Sequence, residues 1–105
     1  MRRGEVWWAE LPPPVGRRPV VLLSRDVAYR VRTSITVGIV TRIARNIPVE
    51  VPLGPEDEMP QQCVVNLDDI LTIPKARLTQ RITILSPQKM VGVARAIIFA
   101  LDLKV

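Results

Sequence analysis

The sequence predicts a mainly β fold, a small curled antiparallel barrel carrying one helix at its C-terminal end. Three observations lead there. Short β-branched runs alternate with Pro-, Gly- and Arg-bearing breaks, helical apolar spacing is confined to the end of the chain, and 105 residues leave room for one core.

Gly4 to Leu11 is rich in β-formers and reads as the first strand, which Pro12-Pro13-Pro14 ends because proline has no N–H for a ladder. Val15 to Arg18 reads as a short basic connection. Pro19 then opens Val20-Val21-Leu22-Leu23, an unbroken apolar run expected of a central strand buried on both faces. Ser24 to Ser34 is polar and Arg-rich and reads as a loop, and Ile35 to Thr41 is the third strand. Arg42 to Asn46 is a second basic loop.

In Val49-Glu50-Val51-Pro52-Leu53 the period of two puts the valines on one face and Glu50 on the other, while Pro52 confines this fourth strand to an edge. Gly54 to Gln62 is an acidic loop, Cys63 to Asn66 a fifth short strand, Asp68 to Ile73 a turn or helical turn, and Arg81 to Leu85 a sixth strand. Ser86 is placed to cap a helix with Pro87 at its first position, and Met90, Val91, Ala94, Ile97, Ile98 and Leu101 recur at helical spacing. Residues 1–105 therefore form a single domain, with no internal repeat.

No apolar run approaches the roughly 20 residues of a membrane-spanning helix, and Glu5 and Glu10 interrupt the only apolar patch behind Arg2 and Arg3, so neither an anchor nor a leader is expected. One cysteine, Cys63, forms no internal disulfide, which fits a reducing cytoplasm. With no histidine beside it, Cys63 reads as a buried strand residue rather than a nucleophile.

The net charge is +5, and twelve of the fifteen cations are Arg. Between Arg17 and Arg45 seven Arg stand against one acid, Asp26. Because the guanidinium fork grips phosphate bidentately, this balance points to nucleic acid, although a solubilising Arg face would give the same composition. The chain has no histidine, which removes the usual acid and base of ribonucleases and the commonest transition-metal ligand. Its clustered carboxylates are chain neighbours, Glu56-Asp57-Glu58 and Asp68-Asp69, and adjacent side chains point to opposite sides of an extended backbone, so no metal site is expected.

What remains is Arg18 before one buried strand, Thr41 at the end of another, and the loops holding Arg25, Arg30, Arg32, Arg42 and Arg45, with Asn46 beside them. Cleavage of RNA by its own 2′-hydroxyl requires only that the strand be positioned and charge on phosphorus be stabilised, which Arg and Thr can do. An Arg and a Thr at strand ends serve structural and binding roles as readily. Of Trp7 and Trp8, which alternate across the strand, one is expected in the core and the other at a groove, where it could stack a base.

The order of the blocks narrows this. Arg3-Gly4-Glu5-Val6-Trp7 followed by Leu11-Pro12, then Arg18-Pro19-Val20-Val21-Leu22, Ile39-Val40-Thr41, Ile47-Pro48-Val49-Glu50-Val51, and Asp69-Ile70-Leu71-Thr72-Ile73 with Arg77-Leu78 resemble the MazF/PemK toxins in sequence and spacing. The resemblance implies an SH3-like barrel of the CcdB/MazF type and a homodimer with single-stranded RNA across its groove. It also implies metal-independent cleavage to a 2′,3′-cyclic phosphate and a 5′-hydroxyl, without a cofactor, and neutralisation by a cognate acidic antitoxin. On this match Arg18 and Thr41 fall on the family's catalytic arginine and threonine, with Arg17, Arg25, Arg30, Arg32, Arg42, Arg45 and Asn46 as expected RNA contacts.

One departure stands out. The family's Gly-Ser-Glu-Gln-Gly-Gly type loop between the first two strands is about five residues shorter here, Gly16 running directly into Arg17-Arg18. That loop supplies polar groups in the family, including an acid, so Arg17 is the candidate to replace part of its phosphate grip. Two other classes share the fold: a non-catalytic toxin that binds DNA gyrase, as the related CcdB proteins do, and an inactive RNA-binding barrel.

Overall fold

The computed structural model describes residues Met1–Val105. Six strands form one antiparallel sheet: β1 (Glu5–Glu10), β2 (Arg17–Leu22), β3 (Ser34–Thr41), β4 (Glu50–Leu53), β5 (Cys63–Pro74) and β6 (Leu78–Ile84). Their spatial order is β4-β5-β3-β2-β1-β6, which leaves β4 and β6 as edges of a strongly curled half-barrel. A one-turn helix, α1 (Ala28–Val31), joins β2 to β3, and α2 (Pro87–Ala100) lies against β4 and β5.

β2 is central and buried on both faces, as its unbroken apolar run requires. Val21 and Leu23 enter the core under α2, whereas Val20 and Leu22 enter a second core on the opposite face with Ile35, Val37, Ile39 and Tyr29. Pro52 sits on edge strand β4, where its missing N–H costs no ladder bond. At the head of α2, Ser86 accepts a hydrogen bond from the Lys89 N–H at 3.1 Å, and Pro87 occupies the first turn.

The structure corrects the sequence reading in several places. β2 begins at Arg17, so Arg17 and Arg18 are strand residues with alternating directions rather than a connection. The Ser24 to Ser34 segment contains α1, whose Tyr29 is buried. β6 begins at Leu78, three residues earlier than expected. On α2 the buried pair is Val93 and Ala96, while Val91 and Leu101 face outward.

The largest correction concerns Asp68 to Ile73, which is no turn: β5 runs unbroken from Cys63 to Pro74. Its register with β3 pairs Ile39 with Asn66 but the adjacent Gly38 with Ile70, leaving Leu67, Asp68 and Asp69 as a three-residue bulge. The bulge inverts the alternation. Before it Cys63 and Val65, and at its start Leu67, face the α2 core; after it Ile70 takes that side and Ile73 faces the second core. A period-two reading fails at such a point. Gly38 makes the bend possible, since a Cβ there would lie 3.0 Å from Val65 Cγ2 and 3.3 Å from Leu67 Cδ1.

Tyr29, the only tyrosine, donates its hydroxyl to the Ser24 carbonyl at 3.0 Å. Burial pushes its pKa up to about 12, with Asp26 adding to the rise and Arg3 opposing it. The fold thus favours the neutral phenol, and its stability is fully present below the ordinary pKa near 10 and declines as pH climbs toward 12. An alkaline absorbance titration should show phenolate appearing together with loss of β-sheet signal. Ionisation at the ordinary pKa with the sheet intact would contradict this.

Candidate active site

Arg18 and Thr41 reach the same place because of strand register. β2 and β3 pair Val20 with Ile39, and continuing that antiparallel register two residues outward brings Arg18 opposite Thr41 on the same face. Both line a groove of about 400 Å³ together with Ile39, Arg45, Asn66 and Asp69.

Each side chain is held by a local bond that leaves its chemistry free. Arg18 donates Nε to the Val15 carbonyl at 3.3 Å, and no carboxylate lies within ion-pair distance of its two terminal nitrogens. Thr41 Oγ1 accepts the Ile43 N–H at 3.3 Å, so its hydroxyl hydrogen remains available as a donor. An unpaired guanidinium fork beside a hydroxyl donor is suited to bind an anionic tetrahedral group.

A second cavity of about 380 Å³ shares Arg18 and Thr41 and extends toward Trp8, Arg17, Arg42 and Gln61. There Arg17 stacks on the Trp8 ring at 4.1 Å and pairs with Glu10 at 3.2 Å. Arg42 reaches Gln61 Oε1 at 3.5 Å. Of the two tryptophans, Trp7 packs against the second core and donates Nε1 to the buried Glu5 at 2.9 Å, while Trp8 belongs to the cavity.

The loop between β3 and β4 is fixed by Glu50, whose Oε1 accepts the Arg45 and Asn46 N–H groups at 2.8 and 3.0 Å. Asn46 has φ of 57°, a left-handed turn position that asparagine tolerates, and its side chain lines a third depression with Arg42 and Glu50. No three His, Cys, Asp or Glu side chains converge as a metal-binding group.

Residues 2–101 match the family model described as the PemK-like, MazF-like toxin of type II toxin-antitoxin systems. The chain belongs to this family. A relative from Mycobacterium tuberculosis, described as the probable endoribonuclease MazF2, is 44% identical over 92 residues, covering 86% of this chain and 87% of that protein. The structure of the Mycobacterium tuberculosis toxin MazF-mt6 superposes with a TM-score of 0.89 at 32% identity, over 96% of this chain and 99% of that one. A mycobacterial endoribonuclease solved in complex with its cognate antitoxin gives 0.90 at 28% identity, over 100% and 98% of the two chains.

Within this PemK/MazF-like frame the expected contact residues divide. Arg17, Arg42, Arg45 and Asn46 surround the Arg18–Thr41 pair in the three contiguous depressions. Arg25, Arg30 and Arg32 do not. They lie at the opposite end of β3, which at about 3.4 Å per residue is some 24 Å long. Arg25 lines a separate depression against α2, and Arg30 and Arg32 are exposed on and just after α1. Reading the Arg-rich stretch as one surface overlooked that β2 and β3 carry its two loops to opposite ends of the sheet.

Two groove residues escaped the sequence reading: Asn66, which faces the groove by ordinary alternation opposite Val65, and Asp69, which only the bulge turns to that side. Asp69 is the one carboxylate lining that groove. Cys63 is buried on β5, and burial raises its thiol pKa, with Asp57 and Glu56 adding to the rise, as suits a structural cysteine.

Proposed function

We propose that this chain is the toxin of a type II toxin-antitoxin pair, an endoribonuclease that cuts single-stranded RNA selectively in the cytoplasm and thereby halts translation and growth. The observation that carries the reading is the meeting of an unpaired Arg18 guanidinium and a free Thr41 hydroxyl in one groove of a PemK/MazF-like fold.

The chemistry follows from what the pair can donate. The substrate's 2′-oxygen attacks the adjacent phosphorus as its proton leaves, the bond from phosphorus to the 5′-oxygen breaks, and that oxygen takes up a proton. The products are a 2′,3′-cyclic phosphate and a 5′-hydroxyl, and no redox partner or water is consumed. Arg18 supplies two N–H donors to the non-bridging oxygens, whose charge grows toward the transition state, and Thr41 adds an O–H donor. Arg17, Arg42, Arg45 and Asn46 line the depressions on either side of the pair and would track the strand.

A homodimer would join two such grooves into one RNA path. An acidic antitoxin segment that orders on binding would fill the same basic groove and exclude RNA. The gyrase-binding alternative is disfavoured because relatives of this chain are named as endoribonucleases.

The test is incubation with mixed-sequence single-stranded RNA in excess EDTA, followed by end-group analysis. Discrete cuts bearing cyclic-phosphate ends are expected. Intact RNA at every protein concentration would reject the reading.

A further inference from the structure

Asn66 is more than nine-tenths buried, yet it lines the groove that holds Arg18 and Thr41. Its Oδ1 accepts the Asp68 N–H at 2.9 Å, and because only the oxygen can take a backbone N–H, the carboxamide's orientation is fixed. The NH₂ end has no partner within the chain. Glu50, directly opposite on β4, accepts the Arg45 and Asn46 N–H groups through Oε1 while its Oε2 is buried without a partner, and neither oxygen bonds Asn66. The amide NH₂ is therefore an oriented donor that opens to the groove, free to exchange water for an acceptor on a ligand.

From this geometry we infer that Asn66 reads a base of the bound RNA beside the scissile phosphate, accepting uracil or guanine and rejecting cytosine or adenine. The inference rests on the ribonuclease reading. Asn66 pairs with Ile39, two residues inward from Thr41 along β3, so it lies on the groove floor beneath the phosphate-binding pair. Asp69, lining the same groove, opposes a phosphate there, whereas Ile39, Leu71 and Ile43 offer apolar walls to the faces of a base. Uracil and guanine present a carbonyl oxygen where cytosine and adenine present an amino group. A single NH₂ donor separates the two classes by bonding one and meeting a second donor on the other.

The bulge is what builds this reader. Without its three extra residues, Asp69 would not share a face with Asn66, and no Asp68 N–H would be free to orient the amide.

Asn66→Asp keeps the shape and the Asp68 bond but replaces the donor with an acceptor. Cleavage of a randomised RNA pool by the intact protein and by Asn66→Asp, with thermal unfolding as a folding check, reads the result. At one position beside the cut the intact protein should favour uracil and guanine by roughly 2- to 13-fold, and the variant should favour cytosine and adenine. A parallel measurement needs no variant: replacing guanine at that position by 2-aminopurine, which lacks the carbonyl, should reduce cleavage by the intact protein to a similar extent. An unchanged base profile in the folded variant, or 2-aminopurine cut as well as guanine, overturns the inference while leaving the ribonuclease reading standing. If the intact protein cuts no RNA at all, the ribonuclease reading fails and takes the inference with it.

Discussion

Arg18→Ala is expected to lower single-turnover RNA cleavage by about 10²- to 10³-fold while RNA affinity falls far less. The asymmetry comes from when the interaction matters. In the ground state a phosphodiester carries one charge and several neighbouring Arg side chains hold it, so losing one of them weakens binding modestly. As the 2′-oxygen adds to phosphorus, charge builds on the non-bridging oxygens within reach of Arg18, whose terminal nitrogens have no competing carboxylate. Arg18→Lys should recover only part of the rate, because a point charge cannot reproduce the planar fork. Thr41→Ala should reduce the rate as well, having lost the O–H donor. The fold should tolerate all three substitutions, since both side chains stand half-exposed at the groove. Rates from denaturant-verified folded protein decide the matter, and equal cleavage by Arg18→Ala and the unaltered protein would remove Arg18 from the reaction.

Much of this arrangement was legible in the residues alone. The double-faced apolar run of β2, the edge position forced by Pro52 and the capped start of α2 all follow from rules that act within a few residues, and the structure agrees at each. Arg18 and Thr41 are singled out only by their place in the MazF/PemK block order, since neither stands out physically in isolation. The rest depended on register. A bulge leaves no compositional trace when its residues are Leu-Asp-Asp, because two adjacent acids read as a turn and the inverted alternation cancels the strand signal. Register also decides which arginines gather. β2 and β3 carry Arg17 and Arg42 to one end and Arg25, Arg30 and Arg32 to the other, although all five fall in one basic stretch of sequence.

Leu67→Ala should cost about 2–5 kcal/mol of stability, a large share of the roughly 5–15 kcal/mol that holds a domain folded. Leu67 has no exposed surface and anchors the bulge in the core beneath α2. One wall of the cavity it would leave is Gly38, which has no side chain to move inward, and Val65 beside it is itself fully buried. The site therefore relaxes little, which places the expected cost in the upper half of the range. In urea the unfolding midpoint should fall while the slope is unchanged, because the surface exposed on unfolding is nearly the same. An unchanged midpoint would mean that the bulge is not anchored through Leu67. The consequence for the groove is separate from the fraction folded. Leu67 lies between Asn66 and the Asp68 N–H that orients it, so losing its anchorage frees both ends of that bond. Base preference should then relax even at temperatures where the protein remains folded, coupling a residue with no surface to the recognition of RNA.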